Sequence, residues 1–562
     1  RTALKTSTER TNAETNWQAG ADFCNPDNSN ITNISAKGQR KLIPRLTDVG
    51  IKARRKFASN LYGYKIGGSR FFEYRVNQRK LADNENVKRW LSDVNDITYR
   101  EIMSSNFPNQ VYLGYSELGY IGTTIMFIED GGDRSLNFKT QNIAKTYIDV
   151  DSKGMVDTVF MDLPFTARQI EQEFPDAELP EKIKQALDKA STEEFVVVHA
   201  VVPNPDYKKG SLNPKKRKFA GLYLFECQGE EPTVLRHDGY DEFPLAVGRL
   251  HRTHGEVYGS GCFKECWSSL NLNNDQKVAF LRAGQMRAEG IWLEPAGSNF
   301  RSIKSQGQSK IIYDPTAAFG AKPELMVPQT DIQITETMMQ MSEAEIMDAF
   351  FANAFNPLMN QQREATATET MARIDLGLTE VSPLLYGLRE YDNAIMHRVF
   401  GILYRRGLYP DPPAELDGMD TTEILDMEYI SKAALALKQL QLYGTQSTIE
   451  QVGLIGQVKP DVWDNFDADE YARFMAETNM VPNRILRPAT AVKKDRVARA
   501  KAQQQQAMVQ AAPMIADAAG KLSKTIEPNS PLEKMLGGHS PAPGPAATAA
   551  RTAAITSACG TL

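Results

Sequence analysis

Residues 371–410 read MARIDLGLTEVSPLLYGLREYDNAIMHRVFGILYRRGLYP. Apolar side chains recur at Met371, Ile374, Leu378, Val381, Leu385, Leu388, Ile395, Val399 and Ile402. Steps of three, four and seven residues place them on one face of an α-helix. Such a helix is about 50 Å long. Pro383 lies inside it and should kink it, because proline lacks the N–H of the helical ladder. Gly407 and Pro410 should end it. A stripe of this length needs cover from elsewhere in the chain or from another subunit, so we expect it to be buried, partly between subunits.

Upstream of this helix lies a break, Asn356 to Thr366, and before that helical sequence from about Thr335 to Phe351. Residues 287–330 hold Gly, Pro, Ser and short β-like pieces such as Lys310 to Tyr313, and residues 263–286 read as helix. Further back the period changes to two. Ala144 to Asp151 and Met155 to Met161 alternate around Asp151-Ser152-Lys153-Gly154, which reads as a hairpin, and Phe195 to Val202 and Phe219 to Cys227 add two strands. Residues 1–60 read as helical, and so does Val87 to Ile125, ending near the Gly-bearing stretch Leu118 to Gly122. The fold class is α+β, mainly helical. Downstream, residues 411–428 carry seven acids and no base, whereas Arg484 to Lys501 carries seven bases against Asp495. Beyond Asn529 the Pro/Ala/Gly-rich tail is expected to be disordered.

With 38 Gly and 29 Pro in 562 residues and 24% charged residues, the composition is that of a folded protein. No run of 18 apolar residues exists, and the first residues lack a signal-peptide core. Five cysteines exclude a disulfide scaffold and point to a reducing compartment. A net charge of −5 argues against a basic nucleic-acid coat. Lys37 to Lys56 holds eight bases against Asp48, either a solvated face or a contact with an acidic neighbour or phosphate.

Catalytic signatures are missing: no Walker A loop, GxGxxG, GxSxG or HExxH occurs. His251, His254, Cys262 and Cys266 could hold Zn²⁺ as four ligands, but their order is unusual and the two cysteines share a helix face where small buried residues are common. Asp149, Asp151, Lys153 and Gly154 resemble an EF-hand start, yet Lys153 and Phe160 stand where oxygen donors belong. Asp461, Asp464, Asp467 and Asp469 offer a possible Mg²⁺ face, though a solvated acidic face explains them as well. We therefore expect no metal, no cofactor and no enzymatic activity.

Several pieces recur together: Ser105-Asn106-Phe107 before Leu118-Gly119-Tyr120-Ile121-Gly122, Val257-Tyr258-Gly259-Ser260-Gly261 entering a helix, Thr366-Ala367-Thr368-Glu369 opening the long helix, and Leu403-Tyr404-Arg405-Arg406-Gly407 closing it. In this order the chain, over about residues 30–510, resembles the portal proteins, or head-to-tail connectors, of short-tailed double-stranded DNA phages (podoviruses). The resemblance implies a dodecameric ring around a central channel at the capsid vertex of the virion, its subunits made in the host cytoplasm. DNA would be packaged and ejected through it. The partners implied are double-stranded DNA read without sequence preference, tail or adaptor proteins, terminase, the major capsid protein and ejection or core proteins, with no membrane. The implied parts are a wing at 1–262 joined by the kinked helix 367–410, stem helices at 263–286 and 331–355, a clip at 287–330, a tunnel loop at 356–366, a crown at 411–482, a barrel helix at 483–525 and a disordered tail at 526–562. The bases implied for the channel are Arg301, Lys304 and Lys310 in the clip, Arg363 in the tunnel loop, and Lys277, Arg282 and Arg287 on the stem. A metal-dependent nucleic-acid enzyme and a channel-less capsid protein are the alternatives, and the mass of the native assembly separates all three.

Overall fold

The computed structural model describes most of residues 1–293, 324–326, 332–354, 381–416 and 425–429, and parts of 442–506. Arg1–Asn483 form one unit and Arg484–Leu562 a second. In the second unit residues 491–506 are helical and Arg487 pairs with Asp495 at 2.7 Å.

The first unit is built around the strand Thr123–Asp130, whose first six residues are all buried. Such a strand has no polar face because it is covered on both sides. It pairs antiparallel with Leu136–Gln141 and Leu245–Arg249. The helix Phe107–Tyr120 packs on this sheet, as does the helix Arg389–Arg405. A five-stranded antiparallel meander follows, made of Thr146–Val150, Val156–Thr166, Glu194–Pro203, Phe219–Phe225 and Thr233–Tyr240. Its hairpin turns where the sequence places it. The Asp151 carboxylate accepts from the Lys153 and Met155 N–H groups at 2.8 and 2.9 Å, and Gly154 takes φ +79°. Two short helices, Ala167–Glu173 and Glu181–Asp188, close one end of this sheet over a small core of Ile170, Phe174, Ile183 and Phe225.

Of the quoted segment, Val381 and the residues after it are described, while Met371, Ile374 and Leu378 lie outside the described residues. Residues 381–387 are helical, a turn falls at Leu388, and Arg389–Arg405 continue as helix. The kink expected at Pro383 would act near residue 379, which lies outside the described residues, and the interruption at Leu388 is a separate one. A proline clashes with the residue four before it, so its effect does not reach Leu388. Gly387, a poor helix former, stands there instead, with the Leu250 carbonyl 3.3 Å from where its Cβ would be. Val381, Leu388, Ile395, Val399 and Ile402 are buried, as are Met396, Phe400 and Leu403 beside them. This half of the stripe is covered by the chain's own sheet and by Phe72 and Tyr74, so the expected cover from another subunit is not needed there. Gly407 ends the helix at φ +66°, with the Leu408 N–H reaching the Leu403 carbonyl and the Gly407 N–H the Tyr404 carbonyl.

The acidic segment supplies one strand, Leu425–Tyr429, which pairs antiparallel with Phe72–Val76. Glu428 and Glu73 both face Arg75.

Candidate channel helices and the joints that set them

The helices Trp267–Glu289 and Ile332–Ala349 run side by side, and short strands next to them, Ile291–Leu293 and Glu324–Met326, pair antiparallel. The contacts fix the two helices as antiparallel, because Ser269 meets Glu345 while Asn273 meets Met339 and Ser342. The seam is polar at its centre. Asn273 accepts from the Thr47 hydroxyl at 2.6 Å and donates to the Ser342 hydroxyl at 2.8 Å, and Gln276 lies 3.0 Å from the same hydroxyl. A buried asparagine with its partners satisfied fixes register, since slipping one residue would strand each polar atom. Leu270, Ile346 and Phe350 are buried around it. The second helix ends where Phe351 takes φ +51°, a left-handed conformation that non-glycine residues rarely adopt.

Outward, this pair is not dressed for water. Trp267, Leu272, Leu281, Ile334, Met338 and Met341 are exposed, Met341 by 63%. A contiguous element with this much bare apolar surface marks an interaction site. Sequence reading treated these helices as channel linings by resemblance and missed their apolar exterior. The signal was present, since neither helix confines its apolar residues to one stripe.

Over residues 267–285 and 334–350 the pair carries Lys277 and Arg282 against Asp275, Glu336, Glu343, Glu345 and Asp348. Lys277 leans toward Asp48 at 3.6 Å, and Arg282 is exposed. The Arg287 side chain and all of Arg301, Lys304, Lys310 and Arg363 lie outside the described residues.

The sequence pieces behind the resemblance turn out to be joints. Gly122, at φ +85°, and Gly259 lie against each other. A Cβ on Gly122 would collide with the Ser260 and Gly261 backbone, and one on Gly259 would stand 2.6 Å from the Gly122 carbonyl. The segment leading into the helix Trp267–Glu289 therefore crosses the start of the central strand at backbone contact distance, locked by Leu250 N–H to Gly122 O at 2.9 Å. Asn106 docks its helix on the sheet, donating to the Phe138 carbonyl at 2.8 Å and accepting from its N–H at 2.9 Å. Arg405 reaches Glu242 at 2.5 Å, and Arg406 pairs with Asp130. Thr366 to Glu369 lie outside the described residues.

Charges inside the unit are paired with care. Arg10 is fully buried, donating to the Thr146 carbonyl at 2.9 Å and the Ile143 carbonyl at 2.7 Å while its guanidinium sits over Trp17 and Tyr147. Arg249 and Arg252 both reach Glu390 and the Gly154 carbonyl, tying hairpin, sheet and long helix together. Burial pushes the Glu242 carboxyl up, but Arg405 and Arg398 outweigh it and hold it below the ordinary range. Burial raises Asp392 despite its pairing with Lys65. Among the described residues Glu117 has no basic partner. Burial moves its carboxyl to about 8, against one hydrogen bond from the Thr124 hydroxyl at 3.2 Å.

Among the described residues the metal constellations are not assembled. Cys262 and Cys266 are buried core residues whose thiols burial pushes up, Cys266 to about 12, whereas His254 is exposed in a turn. Asp467 caps the helix Ala468–Thr478, accepting from the Asp469 and Glu470 N–H groups at 2.9 and 3.1 Å, and Asp461 and Asp464 lie outside the described residues. Among the described residues no group of three or more His, Cys, Asp or Glu could hold a metal, and no helix is long and apolar enough to cross a membrane.

Comparison with known proteins supplies the identity. The family described as bacteriophage head to tail connecting protein matches residues 2–486. The portal protein of Salmonella phage epsilon15 is 27% identical over 532 residues, covering 92% of this chain and 93% of that protein. The probable portal protein of Bordetella phage BPP-1 is 23% identical over 522 residues, with 92% and 93% covered. These are the relatives that the order of sequence pieces led us to expect, and the chain belongs to the bacteriophage head-to-tail connecting protein family.

Proposed function

We propose that this chain is the subunit of a portal ring at the capsid vertex of a short-tailed phage, with DNA passing through its axis during packaging and ejection and tail or adaptor proteins attached at one end. Its role is structural and not catalytic. The observation that carries this reading, beside the family, is the helix pair Trp267–Glu289 and Ile332–Ala349: its exposed Trp267, Leu272, Ile334, Met338 and Met341 need neighbours, and a ring of identical copies supplies them.

The charge of the same helices suits a conduit. Affinity for phosphate grows with every Lys or Arg contact, so a duplex that must slide should meet few bases. Two bases against five acids over residues 267–285 and 334–350 give such a wall, more acidic than basic. In this reading residues 1–262 and 367–410 form the wing, 263–286 and 331–355 the stem, 287–330 the clip that meets terminase and tail, 356–366 the tunnel loop, 411–482 the crown and 483–525 a barrel helix. The ring is a dodecamer. Arg301, Lys304, Lys310, Arg282, Arg287 and Arg363 are the sparse bases that meet DNA, while Lys277 is partly engaged by Asp48. Replacing Arg301, Lys304, Lys310 and Arg363 together with Gln should leave assembly intact and change the salt dependence of DNA retention in filled heads. Packaging and retention equal to the parent at every salt concentration would remove these residues from the channel.

A further inference from the structure

The turn between the strands Glu194–Pro203 and Phe219–Phe225 is the most basic described surface that the portal reading leaves unused. Over residues 204–218 it carries Lys208, Lys209, Lys215, Lys216, Arg217 and Lys218 against Asp206 alone. It is a built structure and not a loose loop. The Asn204 side chain donates to the Lys215 and Arg217 carbonyls at 2.9 and 2.7 Å, and the Lys208 N–H reaches the Lys216 carbonyl at 3.0 Å. Arg217 turns back to Gly239 O and Asp241. Lys208, Lys209, Lys215 and Lys216 are exposed and make no ion pair among the described residues. Tyr207, 48% exposed, stands beside them. Pinning like charges opposite one another is unfavourable unless an opposite surface receives them.

The far end of the same sheet has the opposite charge. There Thr166 pairs with Glu194, and residues 167–188, the two short helices and the loop joining them, carry Glu171, Glu173, Asp176, Glu178, Glu181 and Asp188 against Arg168, Lys182 and Lys184. Glu171, Asp176 and Glu178 are exposed and unpaired among the described residues. Ten residues of strand separate the two ends, about 33 Å. One rigid module therefore carries two different, complementary patches at its ends. A cyclic ring of more than two copies requires that arrangement, because each contact joins two different surfaces of the same chain.

We propose that the basic turn of one copy docks against the acidic helical corner of the next. The inference rests on the ring reading above and extends it, by naming the charged contact that sets the order of neighbours and steers their encounter.

The test uses the full chain. Lys208, Lys209, Lys215 and Lys216 are changed to Glu in one variant, Glu171, Asp176 and Glu178 to Lys in a second, and both sets in a third. Circular dichroism and melting check the fold, and mass photometry counts rings against protein and salt concentration. Each one-sided variant should fold like the parent but need about a hundredfold more protein to form rings, and the combined variant should recover most of that loss. Rings at parental concentrations from the first variant overturn the proposal, as does a combined variant that stays as weak as the single ones. Intact rings with lost retention on immobilised duplex DNA would assign the turn to nucleic acid and also overturn it. A parent chain that forms no ring in any condition overturns the ring reading itself, a failure distinguished because no variant is needed to see it.

Discussion

Glu117 provides a prediction whose sign follows from its surroundings. It lies on the helix Phe107–Tyr120 against the central strand, 5% exposed, and among the described residues its one hydrogen-bond partner is Thr124. Burial disfavours the carboxylate and moves the group from its ordinary 4.5 to about 8. A raised folded-state value means that its contribution is fully present below the unfolded value and is lost as pH rises through about 8. Linkage over that interval sets a ceiling of about 5 kcal/mol, and partial solvation on ionisation brings the expected loss to about 2–4 kcal/mol. Glu117→Gln keeps the size and an acceptor for Thr124 but cannot ionise. Urea midpoints followed by tryptophan fluorescence should show the variant level with the parent near pH 5 and more resistant near pH 9. A difference between the two proteins that does not change with pH would refute the account of this site.

Other substitutions separate folding from assembly. Val399→Asp should unfold the chain, because it puts an unpaired carboxylate at a position with 0% exposure, at a cost of several kcal/mol; a normal melting curve would contradict this. Met341→Asp should leave melting unchanged and abolish rings on size-exclusion chromatography, since Met341 is covered in this account only by a neighbour. Gly122→Ala should destabilise by about 3 kcal/mol or more, from the φ +85° backbone and the collision with Ser260, read by thermal melting. Cys24, Cys262 and Cys266 should resist alkylation at pH 8 until the chain unfolds, because burial raises each thiol, as mapped by mass spectrometry.

Much of this architecture was legible where the cause is local. The hairpin at Asp151 to Gly154 declares itself by a side chain that caps its own turn and a glycine with positive φ. The end of the long helix at Gly407 is equally local. The helices Trp267–Glu289 and Ile332–Ala349 were legible in extent, while the face they leave bare was not, because periodicity reports amphipathicity and these helices lack a single stripe. The strands Phe72–Val76 and Leu425–Tyr429 escaped notice because each is short and finds its partner about 350 residues away. Within the strand Thr123–Asp130 the four residues Ile125 to Ile128 form a short apolar run, which periodicity alone cannot assign to strand or helix. The glycine pair Gly122 and Gly259 was noticed as pattern, and its reason appeared only when two backbones were seen to cross. The basic turn at 204–218 was open to simple charge counting but was overlooked, since the long helix and the channel drew the reading elsewhere.

The most direct test of the central claim is cryo-electron microscopy of the purified full-length chain. The account predicts closed rings with an axial channel, in which Leu272, Met338 and Met341 of each copy are buried against the next copy's stem helices. Particles that are uniformly monomers or dimers, or rings in which those side chains remain open to solvent, would contradict it.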